Sequence, residues 1–314
     1  MNTKMKPKKS LGQNFLTSEA VAGEIVSAGG VGRGDAVLEV GPGKGVLTGI
    51  LLERAGRVVA VEKDRELVEF LRKKFAERDN LEIVSGDILE FNPEEHGLKG
   101  GEYKIIANIP YYITSFFLRR FLGSDFYPGK MVLMVQKEVA ERIVGLPLGR
   151  RKESRILRNA RGGEFSRKPN SSFPRPVKES ILSVSVKAYG EPKITRIVPA
   201  GCFSPAPKVD SAVLLIDNIS KNFFASETES GEPLSEKTFF EVLKRGFSEK
   251  RKMLKNNLPE FGAEDFANCG IAEKARAENL TPEQWKCLAS ALQKKEGEGN
   301  NENGSAGSKG KRKK

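Results

Sequence analysis

Three glycines at alternate positions, Gly41, Gly43 and Gly45, join an apolar run, Val37-Leu-Glu-Val40, to a helix-like stretch. Glycine lets a backbone turn sharply and approach a ligand closely. A strand, glycine loop and helix in this order therefore point to an α/β fold that binds a nucleotide-type ligand at its strand ends. A second apolar run, Val58–Val61, ends in Glu62, 21 residues past Gly41; an acid on ribose hydroxyls is expected at roughly 20. A third, Leu81–Val84, leads into Ser85-Gly86-Asp87-Ile88, where Asp87 could accept a hydrogen bond from an adenine amino group. A fourth, Tyr103–Ala107, leads into Asn108-Ile109-Pro110-Tyr111. In an open parallel sheet these four ends lie along one edge, where ligands bind.

The loop lacks the Lys-Ser/Thr of a Walker A, and its glycines depart from Gly-x-Gly-x-x-Gly. Acids at successive strand ends favour a nucleoside without phosphates. S-adenosylmethionine fits that description and NAD fits it less well. The fourth strand end suits methylation of an exocyclic amine. The Asn108 amide oxygen and nearby carbonyls can accept from an NH2 group. Pro110 fixes the turn and has no N–H to compete, and Tyr111 offers a flat face to a base.

Strands expected at 36–40, 57–61, 81–84, 103–107 and 131–135 alternate with helices at 18–29, 44–54, 64–77 and 114–122. That pattern predicts an α/β protein with a Rossmann-like doubly wound sheet. Lys193–Val198 and Ala212–Ile216 read as its last strands. Residues 1–10 form a basic arm, 11–218 the sheet domain, and 219–234 a polar linker. Residues 235–293 read as a small all-α C-terminal domain. In it Phe239, Phe240, Leu243 and Phe247 share one helical face, and Thr281-Pro-Glu-Gln284 is an N-terminal capping box. Residues 294–314 read as a disordered basic tail.

The net charge is +12, and its location is informative. Residues 1–9 carry +4, residues 149–180 carry +7 and residues 294–314 carry +4, which leaves the rest slightly acidic. Basic segments around a nearly neutral core suit nucleic acid as partner. No apolar stretch reaches the roughly 18 residues of a membrane span, and the N-terminus has no apolar signal region. Three cysteines, at 202, 269 and 287, have no metal-binding spacing and are expected as reduced thiols of a cytoplasmic protein. With His96 the single histidine, a zinc site or histidine triad is not expected; His96 itself reads as a solvated loop residue.

Seven segments in order resemble the small-subunit rRNA adenine dimethyltransferases, a class I S-adenosylmethionine-dependent family. They are Lys9-Ser-Leu-Gly-Gln-Asn14-Phe-Leu16, the glycine loop, Val61-Glu-Lys-Asp64, Gly86-Asp87-Ile88, Asn108-Ile-Pro-Tyr111, Met134-Val-Gln-Lys-Glu-Val-Ala-Glu-Arg142 and Cys202-Phe203-Ser-Pro-Ala-Pro-Lys-Val-Asp-Ser-Ala212. The resemblance covers roughly residues 8–147 and 180–292. It implies a monomer that dimethylates N6 of two adjacent adenosines near the 3′ end of the rRNA, with the pre-small ribosomal subunit as partner and no metal. It implies that Asn14 and Leu16 close over S-adenosylmethionine, with Gly41 beneath, Glu62 on the ribose and Asp87 on the adenine. Asn108 and the Ile109 carbonyl would hold the target amine, and Tyr111 and Phe203 would sandwich the flipped base. The resemblance also makes 183–189 a helix, although its alternation could be read as a strand.

The departure from the family is a basic insertion at 148–179, readable as a helix on RNA or as a surface loop. Two rivals stand beside the main reading. One is the related resistance methylase of large-subunit rRNA; the other is a non-catalytic nucleic-acid-binding factor on the same scaffold. The Phe247–Leu258 segment and the form of residues 203–209 favour the small-subunit enzyme over the first. Glu62, Asp87 and the intact Asn108–Tyr111 motif argue against the second.

Overall fold

The computed structural model describes residues 7–8, 11–145, 178–225 and 232–305, with side chains in the last helix through 297. Residues 1–6, nearly all of the insertion and residues 306–314 of the tail lie outside the described residues. The chain divides into two compact units, Met1–Ser172 with Tyr189–Ser220, and Phe173–Ala188 with Lys221–Lys314.

The first unit holds strands β1 (Phe15–Leu16), β2 (Ala36–Val40), β3 (Arg57–Glu62), β4 (Leu81–Ser85), β5 (Tyr103–Asn108), β6 (Lys130–Gln136), β7 (Glu191–Val198), β8 (Phe203–Ser204) and β9 (Ser211–Asp217). Helices α1 (Glu19–Ala28), α2 (Val46–Arg54), α3 (Arg65–Lys74), α4 (Thr114–Leu122) and α5 (Lys137–Val144) connect them. Seven strands form one sheet in the order β4-β3-β2-β5-β6-β9-β7. β2 through β6 pair in parallel, whereas β9 runs antiparallel to both β6 and β7. The central strands are apolar almost throughout because helices cover both faces of a parallel sheet; Val37, Leu38, Val58, Val59, Ile105 and Ile106 are fully buried.

The chain leaves β2 toward β3 on one side and later adds β5 on the other, so the order reverses between β2 and β5. A ligand crevice opens at such a reversal, beyond the carboxyl ends of the strands. The pairings Val40 with Val61, Val40 with Ala107 and Glu62 with Ser85 bring the ends of β2 to β5 into line. Gly41, Gly43 and Gly45 take φ of +65°, +59° and +73°, a region that side-chain-bearing residues rarely enter. A Cβ on Gly43 would sit 2.9 Å from the Phe15 ring, and one on Gly45 would sit 2.7 Å from the Phe75 ring. The helix after the loop thus needs all three glycines.

The second unit holds α6 (Ile181–Lys187), α7 (Asn222–Ala225), α8 (Glu236–Gly246), α9 (Leu254–Asn257), α10 (Ala263–Asn268) and α11 (Pro282–Ser305). Residues 181–187 are a helix, capped by Ser180 and Ser183. Its packing against α8 places it in this unit, whereas the sequence suggested that it belongs with the sheet. The capping box at α11 is present: Gln284 N donates to Thr281 Oγ1 at 3.3 Å and Thr281 N to Gln284 Oε1 at 3.1 Å. Trp285 is fully buried and stacks on Phe247 at 5.4 Å.

Four expectations need correction. Cys269 and Cys287 form a disulfide, with Cα atoms 5.6 Å apart, instead of two reduced thiols; their separation of 18 residues hides that α10 ends beside the start of α11. Cys202 is free. His96 is not merely solvated: it meets Glu82 at 2.5 Å and stacks on Phe91 at 4.7 Å. The supposed linker contains α7, whose Phe224 is buried against Phe239. Helix α11 runs on to Ser305, past the expected boundary at 293; the Lys295 ammonium pairs with Asp265 of α10 at 2.7 Å and ties this stretch down.

Candidate functional site

A cavity of about 160 Å³ lies at the ends of β2, β3, β4 and β5. Its wall includes Asn14, Gly41, Glu62, Asp87, Asn108, Ile109, Pro110 and Tyr111. Eight sequence-predicted residues thus meet in one place. A neighbouring hollow of about 20 Å³, also touched by Asn108, is lined by Leu16 and Glu39; it holds a water-sized group at most.

Glu62 ends β3 and is nearly buried. Its two carboxylate oxygens accept from Gly43 N at 3.1 Å and Asp64 N at 2.9 Å. Burial raises its pKa, and those two N–H groups oppose the rise without cancelling it. The same bonds fix the carboxylate against the glycine loop, at the wall of the cavity it lines, and each oxygen keeps acceptor capacity beyond them. At Asp87, partial burial works upward, but the Lys63 ammonium at 2.7 Å and the Leu89 N–H at 2.9 Å hold the carboxyl below its usual range. Asp87 is therefore ionised at neutral pH.

Asn108 ends β5. Its Nδ2 donates to the Asn14 carbonyl at 3.1 Å, and Oδ1 takes no partner among the described residues. The side chain is thus held by its donor end while its acceptor end is left for a ligand. The segment carrying Asn14 is itself anchored at Asp64, whose carboxylate accepts from Lys8 Nζ at 2.7 Å and Gln13 Nε2 at 3.0 Å. Burial opposes the charge on Asp64, yet the Lys8 and Gln13 bonds keep its pKa low. Pro110 begins the turn after β5, and the Thr114 hydroxyl donates to the Tyr111 carbonyl at 3.0 Å.

Two expected residues lie elsewhere. Phe203 is off the cavity wall: it is 4% exposed and packs in the core cluster that also holds Leu16. The reason is local pairing. β1 and β8 form a two-stranded ribbon in which Leu16 faces Phe203, and the two apolar side chains are covered together. Leu16 reaches only the smaller hollow.

Sequence reasoning passed over Lys63, Tyr112 and Glu39. Tyr112 lines the cavity although 62% exposed. Glu39 did give a signal, as a single acid inside an apolar strand next to the glycine loop. Among the described residues no group of histidine, cysteine, aspartate or glutamate is arranged to hold a metal ion, and no helix is long and apolar enough to cross a membrane.

A family model described as ribosomal RNA adenine dimethylase matches residues 4–157 and 173–294. The interruption it leaves, 158–172, is shorter than the insertion inferred at 148–179. A ribosomal RNA small subunit methyltransferase A of Dehalococcoides mccartyi is 38% identical over 291 residues, 90% of this chain and 88% of that one. Among solved structures, a dimethyladenosine transferase from Plasmodium falciparum has a TM-score of 0.68 at 22% identity, covering 90% of this chain and 98% of its own. The 23S rRNA methyltransferase ErmE has a TM-score of 0.63 at 23% identity, covering 89% of this chain and all of its own. At those identities the two structures speak to the fold alone.

Proposed function

Because the chain belongs to the ribosomal RNA adenine dimethylase family, we propose that it methylates N6 of two adjacent adenosines near the 3′ end of small-subunit rRNA, with S-adenosylmethionine as donor. The observation that carries this reading is the meeting of the glycine loop, Glu62, Asp87 and the free Asn108 oxygen around one cavity. The donor set fits the cofactor. A fixed carboxylate at Glu62 suits a pair of ribose hydroxyls, an ionised Asp87 suits an adenine amino group, and the side-chain-free loop at Gly41 and Gly43 lets the backbone come close. When bound, S-adenosylmethionine supplies a methyl group on a sulfonium, already a good leaving group.

The residues then have to place the amine. Adenine N6 is a weak nucleophile because its lone pair is delocalised into the ring. An acceptor at Asn108 Oδ1 and another at the Ile109 carbonyl draw the two N–H bonds out of the ring plane and localise that lone pair. Positioning and polarisation of this kind do most of the work. No strong base is required before transfer, since the methylated nitrogen is acidic and gives up its proton to water. Tyr111 supplies the stacking face for a base taken out of its helix. With Phe203 in the core, the stack is one-sided in this arrangement. The protein acts as a cytoplasmic monomer on the pre-small subunit.

The test is mass spectrometry of rRNA from a strain lacking its own enzyme, with and without this gene. Two adjacent dimethyladenosines restored in the small-subunit RNA are expected. Methylation of large-subunit RNA instead would support the resistance-type rival, and no methylation of either would support a non-catalytic factor.

Glu62→Ala should weaken S-adenosylmethionine binding by about 10- to 100-fold, since hydrogen bonds to a charged group are each worth roughly 1.5–3 kcal/mol. RNA affinity should change far less. Unchanged cofactor affinity by calorimetry would remove Glu62 from the site.

A further inference from the structure

We propose that Ser211 is a positioning residue that holds the Tyr111 ring in place for stacking on the target base; this rests on the methyl-transfer reading above. The Tyr111 and Ser211 hydroxyls are 2.6 Å apart, across 100 residues of sequence. Ser211 is fully buried and opens β9, where it is paired with Gln136 of β6 on one side and Val198 of β7 on the other. The residue before it is held as well: Lys137 N donates to the Asp210 carbonyl at 3.0 Å, and Ala200 N to the Asp210 carboxylate at 3.2 Å. Ser211 is therefore a fixed point.

Tyr111 is not fixed in the same way. It lies on the turn after β5, beyond the last strand pairing, which joins Asn108 to Met134. Its backbone is tied by the Thr114 hydroxyl, but that bond leaves rotation about the side-chain bonds free. Tyr111 lines the cavity, while its phenol oxygen reaches Ser211 of β9. A bond at the far end pins the phenol oxygen and so fixes the direction of the ring's long axis, and the place of the ring is set before the base arrives. Rigid support of a binding group lowers the cost of reaching the productive geometry.

The test is a double-mutant cycle of Tyr111→Phe, Ser211→Ala and both together. It is read as the single-turnover methylation rate at saturating RNA and S-adenosylmethionine, with cofactor affinity by calorimetry. Each single change should slow transfer by about three- to tenfold, the range of one net hydrogen bond. Cofactor affinity should hold, and the double variant should be no slower than the slower single. Wild-type rate in Ser211→Ala, multiplied effects in the double, or a parallel loss of cofactor affinity would overturn the assignment. Should Ser211→Ala fail to fold, Tyr111→Phe decides alone, because it removes only the hydroxyl; wild-type rate there would overturn it. The wild-type control separates the two readings: a wild-type protein that methylates no small-subunit rRNA overturns the function and the positioning role together, whereas an active one leaves only the latter at stake.

Discussion

Asn108→Ala should slow single-turnover methyl transfer by about 10²–10³-fold, the cost of one preorganised transition-state hydrogen bond, roughly 3–4 kcal/mol. Cofactor affinity should stay within a few-fold of wild type. The two expectations have separate origins in one side chain. Oδ1 is the acceptor that polarises the amine, and alanine removes it. Nδ2 holds the Asn14 carbonyl at 3.1 Å, and alanine removes that tether too, but the arm keeps its anchors at Asp64 through Lys8 and Gln13. Asn108→Asp separates the two ends, since it keeps an acceptor and cannot donate to Asn14. Its rate should fall less than that of alanine if the acceptor matters, and as much if the tether does. Near wild-type transfer by Asn108→Ala would remove Asn108 from the reaction.

The strand ends were legible because parallel buried strands write themselves as apolar runs. The residue that breaks each run is then the one at the ligand edge: Gly41, Glu62, Asn108 and, two residues on, Asp87. Local periodicity also marked α2, α4 and the cap of α11. What stayed hidden is non-local. Nothing near Phe203 says that β8 pairs with Leu16, so a ring expected over the base lies in the core. Nothing near Cys269 says that Cys287 is beside it. Ser211 is 100 residues from the tyrosine it meets, and α6 packs with α8, a helix some fifty residues later. The legible part is thus the face each segment buries; the part that needs the fold is which buried faces meet.

Glu39→Gln should stabilise the cofactor-free protein, and the gain should grow as pH rises from about 5 to 8. Glu39 sits in β2 between Ala60 of β3 and Ile106 of β5, and 1% of its surface is exposed. Thr48 lies beside it and favours the charged form, yet neither carboxylate oxygen nor the Thr48 hydroxyl reaches hydrogen-bond geometry. Burial dominates, the nearby Glu62 adds to it, and Lys74 opposes from a distance, so the carboxyl is pushed up to about 8. Below the ordinary value of 4.5 both folded and unfolded chains hold the proton. Between that value and about 8 the unfolded chain has released it and the folded one has not, so stability falls with rising pH; above about 8 both are ionised and the slope ends. With one pKa unit worth about 1.4 kcal/mol, the difference at stake is at most about 5 kcal/mol. Glutamine keeps the shape and cannot ionise. The check is denaturant unfolding of both proteins at several pH values across that window. A gap between them that stays constant with pH would mean that Glu39 is not a protonated buried acid in the folded chain, and that a partner for its charge lies within reach beneath the glycine loop.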